Sequence, residues 1–407
     1  MYNSIRGLIV VGLPYWFKEN VFVLSVTQTI FVSANTFWIM FFPLWLSSLG
    51  ISDIGVGWIF TAGTVISSFS LFVGGRLADV YGRKKIIVIG SMTYTTSILI
   101  ILFFKNVFGS TFGYLIYCLG TGLFGPAVTI MLMESSPQEV RGTAYAFATR
   151  TLPSLPPALL APLGGYFFDK GMYDVSLLVA FLSFAIITLI YMLFLRETLP
   201  KNKSTETSVY IKQSSPTVLN KFLALIILAF GIDILTTRGL NWYIPLFLAK
   251  FGYSAFEYSI FISTSTIAIT VGSLISGRLT DRIGPVKTAT TSWILVTITV
   301  YLFAIIPSCP SVAILLYTAW KFVGMISYTA PAILINEYYD QEKKSTAMGI
   351  YTSLIRVMTI IGPLLTTCAL FFGSKTPFIL KSTLTLTSIF ILHIAIKLKA
   401  ETRQSLT

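Results

Sequence analysis

The sequence predicts an all-α membrane protein with twelve transmembrane helices arranged as two six-helix bundles. Three observations predict this fold class: an apolar composition, twelve apolar stretches of spanning length, and a repeat that relates the two halves of the chain. The 407 residues are 55% hydrophobic and 11% charged, whereas a soluble chain carries about 25% charged residues. Because a water-soluble core of this size cannot bury so much apolar surface, we expect lipid to cover it.

Apolar stretches long enough to cross a bilayer, which takes about 20 helical residues, recur along the whole chain. We place spans 1 to 12 at residues 21–48, 54–75, 86–104, 111–133, 142–168, 174–195, 219–249, 256–277, 288–307, 311–336, 345–372 and 377–396. A polar stretch with two prolines, residues 199–217, separates span 6 from span 7. The predicted organisation is an N-terminal segment (1–20), a first bundle (21–198), a linker (199–217), a second bundle (218–402) and a tail (403–407).

The basic residues are unequally divided between the two sets of loops. The face that receives both termini, termed the basic face, holds twenty of the 29 Lys and Arg residues, counting those close to the ends of spans, and four others lie well inside spans. The opposite face holds five: Lys105, Lys170, Lys250, Lys375 and Lys381. The positive-inside rule therefore predicts a multi-pass protein of the cytoplasmic (inner) membrane with both termini in the cytoplasm. Because the net charge of +13 is spread over short loops, we do not expect nucleic-acid binding.

The two halves of the sequence match at an offset of about 202 residues. GGRLADVYG at 74–82 matches SGRLTDRIG at 276–284, and proline and glycine positions of spans 1 and 7 match as well. The aligned pairs include Gly75 with Gly277, Asp79 with Asp281, Gly82 with Gly284, Pro43 with Pro245, Gly50 with Gly252, and Glu134 with Glu337. Matches in one order at a nearly constant offset indicate two parallel six-helix repeats, which is typical of transporters whose halves rock about a central site.

The segment after span 2, Gly75-Arg76-Leu77-Ala78-Asp79-Val80-Tyr81-Gly82-Arg83-Lys84, resembles the G-x-L-a-D-r-x-G-r-k signature of the major facilitator superfamily. The resemblance extends over about residues 20 to 402. Val80 departs from the signature by replacing a basic residue, and Pro285 and Val286 replace the trailing basic pair of the second copy. The resemblance implies the fold of that family and secondary transport by alternating access. We expect a monomer.

The resemblance also implies a gate on the basic face. Asp79 would face the N-terminus of span 11, where the helix dipole favours an anion, and Arg83 could pair with Glu134 at the end of span 4. The alternative is that these charges are a solvated topology signal. The residues assigned to this gate are Gly75, Asp79, Gly82, Arg83, Glu134, Gly277, Asp281, Arg282 and Glu337.

Five ionisable residues lie well away from the ends of the predicted spans, where each costs roughly 2.5–3.5 kcal/mol on insertion scales. They are Arg150, Asp233, Arg238, Lys321 and Arg356. Since four are basic and one is acidic, we expect a cavity that binds a small anionic solute, such as a carboxylate or an organic phosphate. The predicted substrate-binding residues are Arg356, Lys321, Arg150 and Arg238 together with the polar Asn35, Gln28 and Asn241. The alternative for Arg150 and Arg238 is that they snorkel to the interfaces or connect helix ends.

Asp233 is the one acidic residue deep inside a predicted span. It is the candidate proton-coupling residue, because a desolvated carboxylate can bind and release a proton near neutral pH. The competing interpretation is a static salt bridge with Lys321 or Arg356.

The sequence offers no set of residues that would support catalysis. The single His393 and the scattered Cys118, Cys309 and Cys368 have no metal-ligand spacing, so we expect no enzyme activity, no metal and no cofactor. The repeat disfavours a channel or a receptor. Two functions remain: proton-coupled transport of an organic anion, and proton-driven export of multiple drugs or other amphipathic compounds. The prolines of span 5, Pro153, Pro156, Pro157 and Pro162, favour export.

Overall fold

The computed structural model describes residues 19–137, 140, 144–145, 147–199 and 220–404, and these residues are almost entirely helical. The predicted N-terminal segment 1–20, linker 199–217 and tail 403–407 therefore lie outside the described residues except at their edges. Among the described residues, eleven helical segments are long and apolar enough to cross a membrane. They correspond to spans 1–4 and 6–12, so the predicted fold class is confirmed.

The described helices of the first half match spans 1 to 6. They are α1 (Glu19–Trp38), α2 (Phe42–Ser48), α3 (Asp53–Tyr81), α4 (Arg83–Phe103), α5 (Val107–Glu134), a π-helical turn (Phe147–Thr151), α6 (Leu152–Asp169) and α7 (Tyr173–Phe194). The π-helical turn and α6 form span 5, whose prolines lower its apolar character. Span 1 consists of α1 and α2, which are separated by three residues before Pro43.

The second half repeats this order of helices. They are α8 (Lys221–Leu240), α9 (Ile244–Ala249), α10 (Ala255–Ile283), α11 (Pro285–Ile305), α12 (Pro310–Ile326), a 3₁₀ turn (Ser327–Thr329), α13 (Ala330–Tyr338), α14 (Gln341–Met358), α15 (Ile361–Leu370) and α16 (Thr376–Gln404). Span 7 is α8 and α9, with a three-residue break before Pro245, and so has the same interruption as span 1.

The signature segment after span 2 is helical rather than a loop. We expect span 2 to end near residue 75, but α3 continues to Tyr81 and α4 begins at Arg83, so that Gly82 alone separates them. Gly284 separates α10 from α11 in the same way. The φ angles of these two glycines are 101° and 87°, a region that residues with a Cβ atom rarely adopt. The repeated glycines therefore mark positions where the backbone requires glycine.

The described residues form two compact units. Unit 1 holds those of Met1–Trp38, Ile66–Leu160 and Tyr173–Lys201, and unit 2 holds those of Ile39–Val65, Ala161–Met172 and Asn202–Thr407. Two segments from the first half of the sequence thus pack within unit 2: α2 with the start of α3, and the end of α6. The division into bundles 21–198 and 218–402 stays a prediction.

Each unit has its own packed interior. In unit 1, Phe31 lies against Tyr94, Phe124 and Phe184 with ring centroids 5.3 to 5.9 Å apart. In unit 2, α8 packs directly against α15 through glycines: a Cβ atom on Gly239 would overlap the carbonyl oxygen of Gly362. This close approach fixes α8, the helix that carries most of the candidate site.

Candidate functional site

An ion pair lies inside unit 2, between α8 and α16. The Lys381 ammonium group donates to Asp233 Oδ1 and also to the Asp233 backbone oxygen at 3.0 Å. The Thr385 hydroxyl group lies 3.3 Å from the same carboxylate oxygen. The Lys381 side chain is 0% exposed and the Asp233 side chain 16%. A buried charge of this kind needs a partner, because leaving it alone costs several kcal/mol.

The sequence alone predicts Lys381 on the opposite face, and this prediction is wrong. α16 begins at Thr376, so Lys381 lies in its second turn and points into the unit rather than into a loop. Its pairing also differs from the competing interpretation for Asp233, which names Lys321 or Arg356 as the partner. Lys381 and Thr385 are four residues apart and share one face of α16, and both contact the Asp233 carboxylate.

Lys321 of α12 is held by neutral groups. Its ammonium group donates to Asn241 Oδ1 at 3.2 Å and lies 4.4 Å from the ring centroid of Trp320 and 5.1 Å from that of Tyr317. Within the part of the chain that the structure describes, Lys321 forms no ion pair with a carboxylate. Two residues predicted from the sequence, Lys321 and Asn241, are therefore in contact, and their contact with a substrate stays a prediction.

Helix α8 connects the ion pair of Asp233 with the Lys321 contacts, and it also carries Arg238. Arg238 is three residues before Asn241 and so lies on the same side of the helix, and its side chain is exposed. Asn241 follows Asp233 by eight residues, which is about 12 Å along an α-helix. Unit 2 thus contains the ion pair of Asp233 and, about two helical turns further along α8, two basic residues, Arg238 and Lys321.

The remaining predicted substrate residues lie elsewhere. Arg356 is in the last turn of α14 with an exposed side chain, and the side chain of Arg150 lies outside the described ones. In unit 1, Asn35 Oδ1 accepts hydrogen bonds from Trp38 Nε1 at 3.1 Å and from the Tyr117 hydroxyl at 2.7 Å. Gln28 is half-buried on α1. Their substrate contacts stay predictions.

Arg83 is the centre of the predicted gate residues in unit 1. Its Nη2 atom lies 3.0 Å from Glu134 Oε1 and 3.3 Å from Asp79 Oδ1, and the residue is only 7% exposed. The pairing of Arg83 with Glu134 is therefore observed. The approach of Asp79 to span 11, and the role of these groups as a gate, stay predictions.

Glu197 belongs to the same cluster, and the sequence did not indicate it as a gate residue. Its carboxylate accepts the backbone N–H groups of Arg83 at 2.9 Å and Lys84 at 3.1 Å. It therefore caps the first turn of α4, whose N–H groups have no partner within the helix. A Cβ atom on Gly82 would overlap this carboxylate. The recurrence of Arg-Glu-Thr at 196–198 as Ala-Glu-Thr at 400–402 is the one sequence feature that marks it.

The second copy of the motif is capped differently. Pro285 occupies the first position of α11, and because proline has no N–H group, one donor fewer needs an acceptor. Asp281 and Arg282 are exposed at the end of α10, Glu337 is exposed at the end of α13, and a Cβ atom on Gly277 would meet no heavy atom within 4 Å. The gate assignment of these residues stays a prediction.

At the other end of the helices, Asp169 caps α10 within unit 2. Its Oδ1 and Oδ2 atoms accept the backbone N–H groups of Ala255 and Phe256, both at 2.8 Å. A Cβ atom on Gly165 would lie 2.6 Å from the Ala255 oxygen, so glycine permits this approach. The Ser254 hydroxyl accepts the next N–H group of α10 at 3.1 Å.

An ion pair at the same end joins Lys250 to Asp53, with 2.5 Å between nitrogen and oxygen. Asp53 begins α3 and Lys250 follows α9. Together with the Asp169 cap, it connects segments of the first half of the sequence to the second half inside unit 2.

We expect Asp169→Asn to loosen the first turn of α10. The variant keeps one acceptor but loses the negative charge and the second acceptor. This loss costs about 1 kcal/mol at a helix N-terminus, which corresponds to an increase of about fivefold in the equilibrium constant for local opening. Hydrogen–deuterium exchange of the Ala255 and Phe256 amides measures the change. Asp174→Asn is the matched control, because Asp174 pairs with Lys105 on the surface of unit 1. Unchanged exchange in Asp169→Asn would contradict the role given to this cap.

Comparison with known proteins identifies the relatives of this chain. The Major Facilitator Superfamily matches residues 24–363 and 226–405. The 3-(3-hydroxy-phenyl)propionate transporter of Escherichia coli is 25% identical over 345 residues, or 81% of each chain. The multi-drug resistance efflux pump PmrA homolog of Lactococcus lactis is 26% identical over 283 residues, 66% of this chain and 67% of that one. The solved nucleoside transporter NupG has the same fold, with a TM-score of 0.74, 12% identity, and coverage of 93% of this chain and 100% of that one.

Proposed function

This chain belongs to the Major Facilitator Superfamily, and from that premise we propose that it moves a small organic anion across the cytoplasmic membrane by alternating access, coupled to protons. The basic face would be cytoplasmic, with both termini on that side. The protein would act as a monomer, and its partners are the solute, the proton and the surrounding lipid.

The observation that carries this proposal is that the Lys321 side chain, inside a span, has no carboxylate partner among the described residues. A cation inside a membrane span is costly unless it is compensated, and Asn241, Trp320 and Tyr317 supply only neutral contacts. A carboxylate or phosphate placed beside Lys321 would compensate the charge, and Arg238 supplies a second basic group on the same side of α8. The similarity to a 3-(3-hydroxy-phenyl)propionate transporter supports a carboxylate.

Asp233 is the proposed proton carrier. It is the one acidic residue deep inside the predicted spans, and its side chain is partly accessible beside the buried Lys381. The proposed gate on the cytoplasmic side is formed by Arg83, Glu134 and Asp79. Glu197 caps α4, the helix that begins at Arg83. Opening and closing of that gate would alternate with opening at the end that Asp169 and Lys250 hold.

The second candidate is proton-driven export of several amphipathic compounds. The similarity to a multi-drug resistance efflux pump supports it, and so do the four prolines of span 5. The two candidates differ in the charge they accept. A lipophilic cation would be repelled by Lys321 and Arg238, whereas it would be attracted to Asp233.

Replacing Lys321 tests the proposal. We expect purified protein to bind 3-phenylpropionate, a carboxylate with an aromatic ring, and expect Lys321→Gln to weaken that binding about tenfold because a charge-assisted hydrogen bond is lost. Isothermal titration calorimetry and uptake into proteoliposomes measure binding and transport. Lys397→Gln is the control, since Lys397 is exposed near the end of α16. Binding of tetraphenylphosphonium in place of carboxylates and phosphates, lost in Asp233→Asn, would favour the export function instead.

A further inference from the structure

We propose that unit 2 binds a sodium ion at the break in span 10, where α12 ends and α13 begins. The ligands are the carbonyl oxygen of Ile326 and the hydroxyl oxygens of Ser276, Thr280 and Thr329. The inference goes beyond the proposed function, because it concerns an ion and does not depend on which solute the protein carries.

The break in span 10 removes the backbone partner of one carbonyl group. α12 ends at Ile326, a 3₁₀ turn follows at Ser327–Thr329, and α13 begins at Ala330. The Ala330 N–H group donates to Ser327 O, whereas in a continuous α-helix it would donate to Ile326 O. Pro331 has no N–H group, so it cannot restore the α-helical pattern. In secondary transporters, carbonyl oxygens at such helix breaks coordinate sodium.

Two buried hydroxyl groups of α10 face this break. The Ser276 hydroxyl donates to Ile326 O at 2.8 Å and lies 2.9 Å from Thr329 Oγ1. The Thr280 hydroxyl donates to the Ser276 backbone oxygen at 2.7 Å and lies 3.0 Å from the same Thr329 oxygen. Ser276 is 0% exposed and Thr280 is 1% exposed. Oxygen atoms from α10, α12 and the 3₁₀ turn therefore meet in a buried position.

The hydroxyl protons are too few for these contacts. The three hydroxyl groups take part in four oxygen–oxygen contacts of 2.7 to 3.0 Å, but each group has a single proton and a carbonyl oxygen has none. Since the protons of Ser276 and Thr280 point to backbone oxygens, the Thr329 proton serves only one of the two hydroxyl oxygens beside it. The remaining pair of oxygens present lone pairs to each other, and a cation bound by both removes that repulsion.

The first half of the sequence lacks these hydroxyl groups. At the repeat offset of 202 residues, each of the three hydroxyl residues matches glycine or alanine, and α5 runs unbroken through the matching region. Packing at these positions therefore does not require a hydroxyl group, and the three occur together in the half whose span is broken. The matched pairs are Ser276 with Gly74, Thr280 with Ala78, and Thr329 with Ala127.

The chemistry of the ligands favours a small monovalent cation. All four are neutral oxygens, and the C-terminal end of α12 adds a partial negative charge. Divalent cations in proteins take carboxylate ligands, and within the described residues no acidic side chain bonds to these oxygens. The neighbouring basic groups point elsewhere: Lys321 donates to Asn241, and the side chains of Arg278 and Arg282 are exposed. Oxygens this close together suit sodium better than the larger potassium ion.

Thermal unfolding of the purified full chain, without any solute, tests the sodium site. At constant ionic strength, we expect NaCl in place of choline chloride to raise the melting temperature by about 2–4 °C, because a ligand of the folded state stabilises that state. KCl should not raise it. The wild type should also bind radioactive sodium, which measures occupancy of the site directly.

Variants that carry the residues of the first half identify the position of the ion. Thr280→Ala and Thr329→Ala should each abolish the sodium-dependent shift and weaken sodium binding by about tenfold or more. Thr329→Ser keeps the oxygen atom and should retain both. Thr291→Ala is the matched control, because Thr291 is exposed on α11 and its hydroxyl group bonds only within that helix.

Two outcomes would overturn the inference. One is a wild type that binds no radioactive sodium and melts at the same temperature in NaCl, KCl and choline chloride; the hydroxyl groups then serve only the backbone of the break. The other is a sodium response that persists unchanged in both alanine variants, which would place the ion elsewhere. Neither outcome affects binding of 3-phenylpropionate, so failure of this inference and failure of the proposed function are distinguishable.

Discussion

Replacing Gly362 by alanine is expected to destabilise the second half of the protein by about 3 kcal/mol, the upper part of the range for overpacking a close contact. A Cβ atom on Gly362 would overlap the backbone oxygen of Leu235, and one on Gly239 would overlap the Gly362 oxygen. Backbone atoms cannot move aside as a side chain tip can, so α15 and α8 must separate. Because α8 carries Asp233, Arg238 and Asn241, binding of 3-phenylpropionate should weaken as well. Thermal unfolding of the purified protein and calorimetric binding measure the two effects.

Gly349→Ala is the matched control for Gly362→Ala. Gly349 lies inside α14, and a Cβ atom there would meet no heavy atom within 4 Å. Alanine at such a position should be neutral or stabilising by about 0.5–1 kcal/mol, because glycine loses more conformational freedom on folding. Equal melting temperatures for Gly362→Ala and Gly349→Ala would show that the approach of α8 and α15 is looser than described above.

Replacing Gly82 by alanine has the second largest expected effect, about 2–3 kcal/mol. The φ angle of 101° costs roughly 1–2 kcal/mol for a residue with a Cβ atom. The added methyl group would also displace the Glu197 carboxylate from the first turn of α4, and loss of an N-terminal cap costs about 1 kcal/mol. Since Arg83 begins α4, its contact with Glu134 should be disturbed too. We expect a lower melting temperature in thermal unfolding and faster hydrogen–deuterium exchange of the Arg83 and Lys84 amides.

The repeat supplies the control for Gly82→Ala. Gly284 has a φ angle of 87°, yet a Cβ atom there would meet no heavy atom within 4 Å. Gly284→Ala should therefore show the backbone cost alone, and the difference of about 1 kcal/mol between the two variants measures the Glu197 cap. If both variants lose the same stability, Glu197 contributes nothing at that position.

The sequence predicted the helices and their breaks well, because the signals are local. An apolar run marks each span, and the prolines at 43 and 245 mark the interruptions of spans 1 and 7. Gly82 and Gly284 stand out through the repeat, although their role as single-residue breaks between long helices was not evident. The continuation of α3 to Tyr81 escaped prediction because charged residues at a helix end look like a loop to a hydropathy criterion.

The candidate site was predicted in part. Polar residues inside apolar spans are costly and therefore indicate a function. This argument identified Lys321, Asn241, Arg238 and Asp233. Lys381 was missed because a lysine near the predicted end of a span cannot be assigned a depth or a direction from the sequence. The carboxylates of Glu197 and Asp169 were missed for a different reason. Each caps a helix that begins more than 80 residues away along the chain, and no local sequence pattern indicates such a long-range contact.

The burial of Lys381 has a consequence for how the chain is assembled in the membrane. Span 12 is synthesised after span 7, and a lysine that enters the bilayer without a partner for its charge is costly at insertion. The acidic residue that compensates it was made 148 positions earlier. We therefore expect that span 12 enters the bilayer efficiently only when span 7 is already inserted, and that a ribosome-bound chain ending before residue 376 holds Asp233 in a state without its counterion.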